Sequence, residues 1–297
     1  MKFLTYRRDG EERLGVMSAD GARGIDLAVA ARTLEAGPVP ADMLQLIELG
    51  DDAVSVARTV TDKSGELPAN AFFAPDGQVI APIPRPRKNV IAVGLNYVRH
   101  TREFTGSDDL PENPIIFTKA SSSVVGPGVT IKLRPDLSEQ IDYEGELGVV
   151  IGKRGADIPA DRAHEHIFGY TIINDVTARD LQKRTSQWFL GKSLDTFCPM
   201  GPYLVHKSAL GWPLKVGIST KVNGELRQES NTELLYFDIP QLIATVSAGI
   251  TLEPGDIIAT GTPEGVGMAF QPPKFLKSGD SVEIEIEGLG TLRNPVR

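Results

Sequence analysis

Three acidic residues have the types and spacing of a metal site. Glu144 and Glu146 lie two apart in 143–151, an apolar segment that predicts a buried strand. Successive strand side chains point to opposite faces, so both carboxylates share one face, with Cα atoms about 7 Å apart, and Gly148 leaves room beside them. Asp175 follows the next predicted strand and can project into a cleft. Because buried carboxylates need a compensating charge, three oxygen ligands with open positions suit Mg²⁺ or Mn²⁺.

A solvated strand face is the alternative to this metal site. Glu283, Glu285 and Glu287 alternate with apolar residues in the same manner. Spacing alone favours a solvated face for a Glu-x-Glu pair. Only the apolar continuation of 143–151 and the nearby Asp175 distinguish the first pair from the second.

His100 and Lys192 are candidates for proton transfer and charge stabilisation. If its segment is helical, His100 shares a face with Glu103, which could orient an imidazole that takes a proton near neutral pH. Spacing alone favours a surface His with a salt bridge. Lys192, between Gly191 and Ser193 in a segment predicted to be strand-like, could stabilise an oxyanion, and a solvated lysine is the alternative.

The glycine-rich loop 260–267 places Thr262 where it could bind a substrate carboxylate, because glycines permit close backbone approach. The loop lacks the Lys-Ser/Thr pair of a phosphate-binding loop and no βαβ pattern surrounds it, which argues against nucleotide binding. Cys198, the single cysteine, is interpreted as a buried thiol rather than a nucleophile.

The composition excludes several classes of protein. With 297 residues and a net charge of −8, the chain is a poor candidate for binding nucleic acid. One cysteine permits no internal disulfide, which suits a reducing compartment. Since no apolar stretch has the length of a signal peptide or membrane span, we expect a cytoplasmic protein without nucleic-acid or membrane partners.

Prolines in 81–87 predict a stiff connector between a small N-terminal accessory or oligomerisation domain, 1–80, and a catalytic domain, 81–297. The Asn223-Gly224 pair predicts a two-residue hairpin. Because strands and helices do not alternate regularly, we expect a β-rich α+β fold rather than a doubly wound sheet. The predicted helices cover 42–49, 52–60, 176–184 and 238–248, and the predicted strands include 89–95, 114–118, 129–133, 143–151, 168–174 and 282–287.

Several motifs, in one order from about residue 89 to 297, resemble the fumarylacetoacetate hydrolase family. They are Gly94-Leu95-Asn96-Tyr97 with His100 and Glu103, similar to the family's mobile lid; Glu144-Gly145-Glu146-Leu147, similar to its metal-binding strand; Asn174-Asp175 through Asp180; Gly191-Lys192-Ser193; Val222-Asn223-Gly224-Glu225; and 255–267. Motifs that recur together in order are far more specific than any one of them.

The resemblance implies the family's C-terminal-domain fold, a mixed β-sandwich or β-roll, with a small N-terminal α+β domain, and a homodimer. It implies Mg²⁺ or Mn²⁺, with Ca²⁺ as a further alternative, and three metal ligands, because no fourth acidic ligand of the founding hydrolases is evident. The implied residues are Glu144, Glu146 and Asp175 for the metal, His100, Glu103 and Lys192 for catalysis, and Thr262, Arg179, Gln182 and Lys119 for substrate binding. Arg179 has the alternative of a structural ion pair.

The implied substrate is a small anionic 2-oxo acid. The leading hypothesis is hydrolysis of a C–C bond in a 2,4-dioxo acid of the acylpyruvate type, with water activated by His100 and an enolate stabilised by the cation. The alternatives are an oxaloacetate decarboxylase or keto–enol tautomerase, an isomerase or hydratase of aromatic ring-cleavage products, and a relic binding protein without catalysis.

Overall fold

The structure is a computed structural model that describes residues 1–107 and 109–297. It is a mixed α+β fold rich in strands, which confirms the predicted class. The strands are β1 (Lys2–Arg8), β2 (Glu11–Met17), β3 (Gly24–Asp26), β4 (Phe72–Phe73), β5 (Val79–Ile80), β6 (Val90–Gly94), β7 (Ile115–Lys119), β8 (Val124–Val125), β9 (Ile141–Asp142), β10 (Gly145–Ile151), β11 (Ile167–Asn174), β12 (Thr177–Ala178), β13 (Cys198–His206), β14 (Gly217–Val222), β15 (Glu225–Asn231), β16 (Ile257–Ala259), β17 (Ser281–Ile286) and β18 (Gly290–Pro295). The helices are α1 (Leu27–Thr33), α2 (Met43–Leu49), α3 (Asp51–Asp62), α4 (Val98–Thr105), α5 (Ala163–His166), α6 (Arg179–Arg184), α7 (Phe189–Lys192) and α8 (Ile239–Ser247).

A large mixed sheet runs through the molecule in the order β4-β3-β2-β1-β13-β11-β10-β16-β6-β7. β10 and β11 pair antiparallel near its centre and are buried along their whole length, as a strand covered on both faces should be. A separate sheet has the order β15-β14-β17-β18. The pairing of β10 with β11 matters for function because it joins the two strand ends that carry the acidic residues.

The N-terminal segment continues the large sheet instead of standing apart from it. β1 pairs antiparallel with β13, so the sheet contains strands from both sides of the proline-rich connector in the sequence. One hydrophobic cluster contains Phe3 and Leu46 from this segment together with Val150 and Phe168 from the central strands, and the rings of Phe3 and Phe168 lie 6.1 Å apart. Residues 1–80 therefore share both a sheet and a core with the rest of the chain.

Local sequence signals account for several elements. The Asn223-Gly224 turn has φ of 52° and 81°, as a two-residue hairpin between β14 and β15 requires. α8 begins after Asp238, whose side chain accepts from the Gln241 N–H while Gln241 bonds back, and this capping box fits the predicted helix. Glu285, on β17, is exposed between buried neighbours, which confirms the solvated face predicted there.

Two predicted elements are wrong in part. Within 129–133 only Ile131 forms a bridge, to Val296, because this stretch pairs only with the last residues of the chain. The helix predicted over 176–184 begins at Arg179, because Thr177 and Ala178 pair with Asp142 and Ile141 as a short β-ladder. Among the described residues, no helix combines the length and apolar character needed to cross a bilayer.

Candidate metal centre

Glu144, Glu146 and Asp175 converge where β10 begins and β11 ends. The Asp175 N–H donates to the Glu144 carbonyl at 2.8 Å, and the Glu144 N–H donates to Asn174 Oδ1 at 3.1 Å. These bonds fasten the two strand ends side by side. One carboxylate oxygen from each acidic residue lies within 4.8 Å of the others, and all three residues are buried. The structure thus brings together the three ligands that the sequence indicated.

Glu144 is held as a carboxylate by two buried cations. Lys192 Nζ lies 2.6 Å from Glu144 Oε2, and Arg179 Nη1 lies 2.7 Å from Glu144 Oε1. Burial alone would raise the pKa of Glu144, but the charges of Lys192 and Arg179 outweigh burial and lower that pKa to about 2.

Asp175 has two lysine partners of its own. Lys192 Nζ lies 2.7 Å from Asp175 Oδ2, and Lys119 Nζ lies 2.5 Å from Asp175 Oδ1. Lys119 also donates to the backbone carbonyls of Val176, at 3.2 Å, and Lys192. Lys119 is fully buried and does not line the cleft, so the structure places it behind Asp175 rather than at a substrate position.

Glu146 is the acidic ligand for which the described residues supply no cation partner. Its Oε2 accepts a hydrogen bond from the Gly261 N–H at 3.0 Å. Burial raises the pKa of Glu146 well above its ordinary value, and the charges of Asp175 and Glu144 raise it further. Among the described residues of this site, four buried carboxylates therefore face three buried cations: Asp142, Glu144, Glu146 and Asp175 against Lys119, Arg179 and Lys192.

This donor set fits a divalent cation. The ligand atoms are carboxylate oxygens, which hard cations prefer, and they leave coordination positions open. With all four carboxylates ionised, the cluster has one negative charge in excess, and a doubly charged ion would favour the ionised form of Glu146 and change the net charge to +1. The predicted room beside Gly148 is absent, however, because a Cβ there would meet Ile173 Cδ1 at 2.7 Å.

Gly261 must be glycine for Glu146 to be bonded in this way. Its φ is 102°, and a Cβ would meet the Asn96 Cβ at 2.8 Å and the Val93 carbonyl oxygen at 3.1 Å. Thr262 follows and lines the same cleft, where its hydroxyl donates to the Gly145 carbonyl at 2.9 Å. Since this hydroxyl proton is bonded to a backbone carbonyl, it is not free to bond a substrate carboxylate, the role predicted for Thr262.

His100 lies on α4 and lines the cleft that contains the carboxylates. Its Nδ1 lies 3.3 Å from Glu103 Oε2, and the Gly265 N–H donates to both oxygens of Glu103 at 3.0 and 3.2 Å. The predicted helix and the shared face of these two residues are therefore present. Since Glu103 bonds Nδ1, the other imidazole nitrogen is the one left for chemistry in the cleft.

Arg179 and Gln182 also line the cleft, and Arg179 Nη1 donates to Gln182 Oε1 at 3.2 Å. Arg179 Nε donates to Asp142 Oδ2 at 2.9 Å, so the structural ion pair considered for this residue exists. Its Nη2 is buried with no hydrogen-bond partner in the described chain. A buried guanidinium nitrogen without an acceptor can bind an anion that enters the cleft.

Asp142 and three aromatic residues were not identified from the sequence. Asp142 accepts from Arg179 Nε and from the N–H groups of Gly267, at 2.7 Å, and Met268, at 3.0 Å, so it fixes the loop after Gly261. The cleft walls include Phe104, Phe117 and Trp188. The sequence contains one signal for Asp142, its position two residues before Glu144 in the same alternation. No local pattern separates the three aromatic residues of the cleft from aromatic residues of the core.

Trp188 closes one side of the cleft. Its ring lies so close to Gly94 that a Cβ there would meet Trp188 Cζ3 at 2.5 Å. The ring of Phe117 meets Trp188 edge-on at 5.3 Å, and Lys192 Nζ lies 4.9 Å from the Phe117 ring centre.

Lys192 is the last residue of the short helix α7, so the strand-like segment predicted for it is wrong. The end of α7 places the Lys192 ammonium against the carboxylates of Glu144 and Asp175.

Comparison with known proteins supports this fold. The C-terminal domain of fumarylacetoacetate (FAA) hydrolase matches residues 89–297. The chain belongs to the fumarylacetoacetate hydrolase family, as its motifs suggested.

The relatives include tautomerases and hydrolases. The chain is 46% identical to the oxaloacetate tautomerase YisK of Bacillus subtilis, with 100% of both chains covered. It is 44% identical to the human mitochondrial oxaloacetate tautomerase FAHD2A, over 95% of this chain and 87% of that protein. Among solved structures, a fumarylacetoacetate hydrolase from Exiguobacterium antarcticum is 41% identical with a TM-score of 0.83, covering 100% of this chain and 99% of that one. A maleylpyruvate hydrolase from Sphingobium, in complex with manganese(II) and pyruvate, is 30% identical with a TM-score of 0.77, covering 100% and 98%.

Proposed function

We propose that this chain is a tautomerase, dependent on a divalent cation such as Mg²⁺ or Mn²⁺, that interconverts the keto and enol forms of oxaloacetate. The observation that carries the substrate class is the unpaired Nη2 of Arg179 beside the cluster of Glu144, Glu146 and Asp175. The full-length relationship to oxaloacetate tautomerases supports the choice of reaction. This proposal replaces hydrolysis, which the sequence analysis had ranked first, with one of its alternatives.

The substrate is an anion, and the cleft offers donors for it. Arg179 lines the cleft, and its Nη2, which has no partner among the described residues, can donate to a carboxylate oxygen of the substrate. Lys192 has three N–H donors, of which Glu144 and Asp175 occupy two. The third can stabilise negative charge on the 2-oxo oxygen as the enol forms.

Proton transfer falls to His100. With its Nδ1–H donated to Glu103, Nε2 is the basic atom that faces the cleft. In the direction from keto to enol, His100 takes a proton from C3, the C3–H electron pair becomes the C2–C3 π bond, the C2–O π pair moves onto the 2-oxo oxygen, and the protonated His100 delivers the proton to that oxygen. When bound at the three carboxylates, a divalent cation supplies Lewis acidity toward a 2-oxo acid. No water molecule has to attack in this reaction.

Hydrolysis of an acylpyruvate is the second candidate. The His100–Glu103 pair could equally activate water, and the related maleylpyruvate hydrolase was solved with manganese and pyruvate. A decarboxylase would use the same cleft and release pyruvate from oxaloacetate. The predicted homodimer stays a prediction.

These reactions can be separated in one set of assays. The enol of oxaloacetate absorbs in the ultraviolet, so its loss can be followed with Mg²⁺, with Mn²⁺ and with EDTA, while pyruvate release from oxaloacetate and from acetylpyruvate is measured in parallel. We expect cation-dependent loss of the enol without stoichiometric pyruvate, and a loss of rate of about 10²-fold or more in His100→Asn. Cleavage of acetylpyruvate with no effect on the oxaloacetate enol would overturn the proposal.

A further inference from the structure

A second cavity, of about 500 Å³, lies between α3 and the end of β13. It shares no lining residue with the metal cleft. One wall comes from Val54, Ser55 and Arg58 of α3, and the other from β13 and the loop to Trp212. The proposed reaction uses none of these residues, so the cavity needs a separate explanation.

Two buried polar side chains line this cavity with unused hydrogen-bonding capacity. Tyr170 is 2% exposed, and its hydroxyl makes no hydrogen bond to any residue in 1–107 or 109–297. Burial raises the pKa of Tyr170, so the hydroxyl keeps its proton and remains a donor. His206 Nδ1 lies 2.8 Å from Ser208 Oγ, which leaves Nε2 without a partner in the same part of the chain. Neither atom belongs to the fully enclosed atoms without a partner, so both are accessible from the cavity and can bond a ligand there.

The charges around the cavity favour an anion. Arg58 is exposed, and its guanidinium forms no ion pair or hydrogen bond with the described residues. Lys207 donates to the His164 carbonyl at 2.9 Å. The single acidic side chain among the lining residues is Asp51, which balances one of the two cations. The lining side chains carry a net charge of +1, and the N-terminal ammonium near Arg58 and His206 adds to it, which favours an anion.

The remaining surface is flat and apolar. The His164 and Trp212 rings lie 5.6 Å apart and are inclined by 36°, and Trp212 is 43% exposed. Val54 contributes an aliphatic surface from α3. An aromatic or other planar body can pack against the indole of Trp212 while its charged end reaches Arg58 and Tyr170.

We propose that this cavity is a second ligand site, which binds a small organic monocarboxylate with a flat apolar body. The carboxylate accepts hydrogen bonds from the Arg58 guanidinium and the Tyr170 hydroxyl, and the body packs on Trp212. This site is independent of the proposed function of the metal cleft.

The chain contains two tryptophans: Trp188 lines the metal cleft, and Trp212 lines this cavity and a neighbouring one beside Pro213 and Leu235. In ¹⁵N-labelled protein the two indole N–H signals, assigned with Trp188→Phe and Trp212→Phe, distinguish the metal cleft from this region, and Arg58→Gln then assigns the binding to this cavity. Benzoate is the probe and benzamide is its uncharged control. We expect benzoate to shift the Trp212 signal in a saturable manner, and benzamide to bind at least about tenfold more weakly.

Two variants test the assigned contacts. Arg58→Gln, on an exposed position, should weaken benzoate binding about tenfold or more, and the isosteric Tyr170→Phe should weaken it severalfold, with the tautomerase rate unchanged in Arg58→Gln. The proposal is overturned if benzoate moves neither indole signal up to about 10 mM. It is equally overturned if benzoate moves only the Trp188 signal, if benzamide binds as well as benzoate, or if Arg58→Gln binds benzoate as tightly as the native protein.

Discussion

Lys119 Nζ lies 2.5 Å from Asp175 Oδ1, and both side chains are completely buried. The two residues are 56 positions apart in the chain, and their contact ties β7 to the end of β11. Removing one partner of a buried pair costs up to about 3–5 kcal/mol, and Lys192, the second cation beside Asp175, reduces that cost when Lys119 is removed. We therefore assign Lys119 to the positioning of Asp175, not to contact with substrate.

The first prediction concerns this pair. Lys119→Met should lower the free energy of unfolding by up to about 3–5 kcal/mol in urea titrations, because the Asp175 carboxylate loses one of its two buried cations and keeps only Lys192. The double variant Lys119→Met/Asp175→Asn should be less destabilised than the sum of the single variants. Strict additivity would contradict a direct interaction between the two residues.

The second prediction concerns the metal. Glu146→Gln should weaken Mn²⁺ binding by about 100-fold in isothermal titration calorimetry, since it removes the ligand whose charge no protein cation balances. Glu285→Gln is the matched control, because Glu285 lies in the alternating strand β17 and is exposed. Equal Mn²⁺ affinity in both variants would exclude the three-carboxylate site.

The third prediction concerns the His100–Glu103 pair. Glu103→Gln should lower kcat for enol loss by about 10–100-fold and leave Mn²⁺ affinity unchanged, because Glu103 orients the imidazole and does not belong to the metal ligands. Glu112→Gln, in an exposed position nine residues further on, serves as the control. A Glu103→Gln variant with the native kcat would show that His100 acts without this partner.

The fourth prediction concerns the size of the substrate. Trp188→Ala should open the cleft next to Gly94 and raise kcat/KM for 2-oxo acids with longer apolar tails, relative to oxaloacetate, by about tenfold. Trp212→Ala, outside the cleft, should leave that ratio as it is. If both variants change the ratio equally, Trp188 does not limit substrate size.

The fifth prediction concerns the dependence of stability on pH. Burial and, to a smaller extent, the charges of Lys207 and the N-terminal ammonium together lower the pKa of His206 to about 4. The unfolded chain therefore binds more protons between pH 4 and the ordinary histidine pKa of about 6.5, so stability rises with pH over this window and is lost as pH falls. The contribution is at most about 3 kcal/mol.

Urea titrations from pH 4 to 7 check this effect. His206→Asn should flatten the pH profile of the free energy of unfolding in that window. The exposed His164→Asn variant should keep the native profile. An unchanged slope in His206→Asn would mean that other groups control acid stability.

Much of the local structure follows from short patterns in the chain. The Asn223-Gly224 hairpin requires two residues with positive φ, and the capping box at Asp238 satisfies N–H groups that a helix leaves unpaired. The shared face of Glu144 and Glu146 follows from the two-residue period of a strand. Each of these signals is local, so each is visible without knowledge of the partner strands.

Other features depend on distant pairings. Nothing near residue 1 indicates that β1 joins β13, and nothing near Trp188 indicates that its ring packs on Gly94. The roles of Lys119 and Asp142 likewise depend on residues 56 and 37 positions away. Whether Glu144 and Glu146 lie in a buried acidic cluster or on a solvated strand face likewise depended on the pairing of β10 with β11.

The family, the fold class and the three acidic residues of the candidate metal site could be predicted from the sequence alone, because ordered motifs and strand periodicity are properties of adjacent residues. Only the tertiary structure decided that Lys192 and Arg179 neutralise Glu144, whereas Glu146 has no cation partner among the described residues. Electrostatic balance is a property of three-dimensional distance and burial, and spacing along a chain determines neither once strands from distant segments are paired.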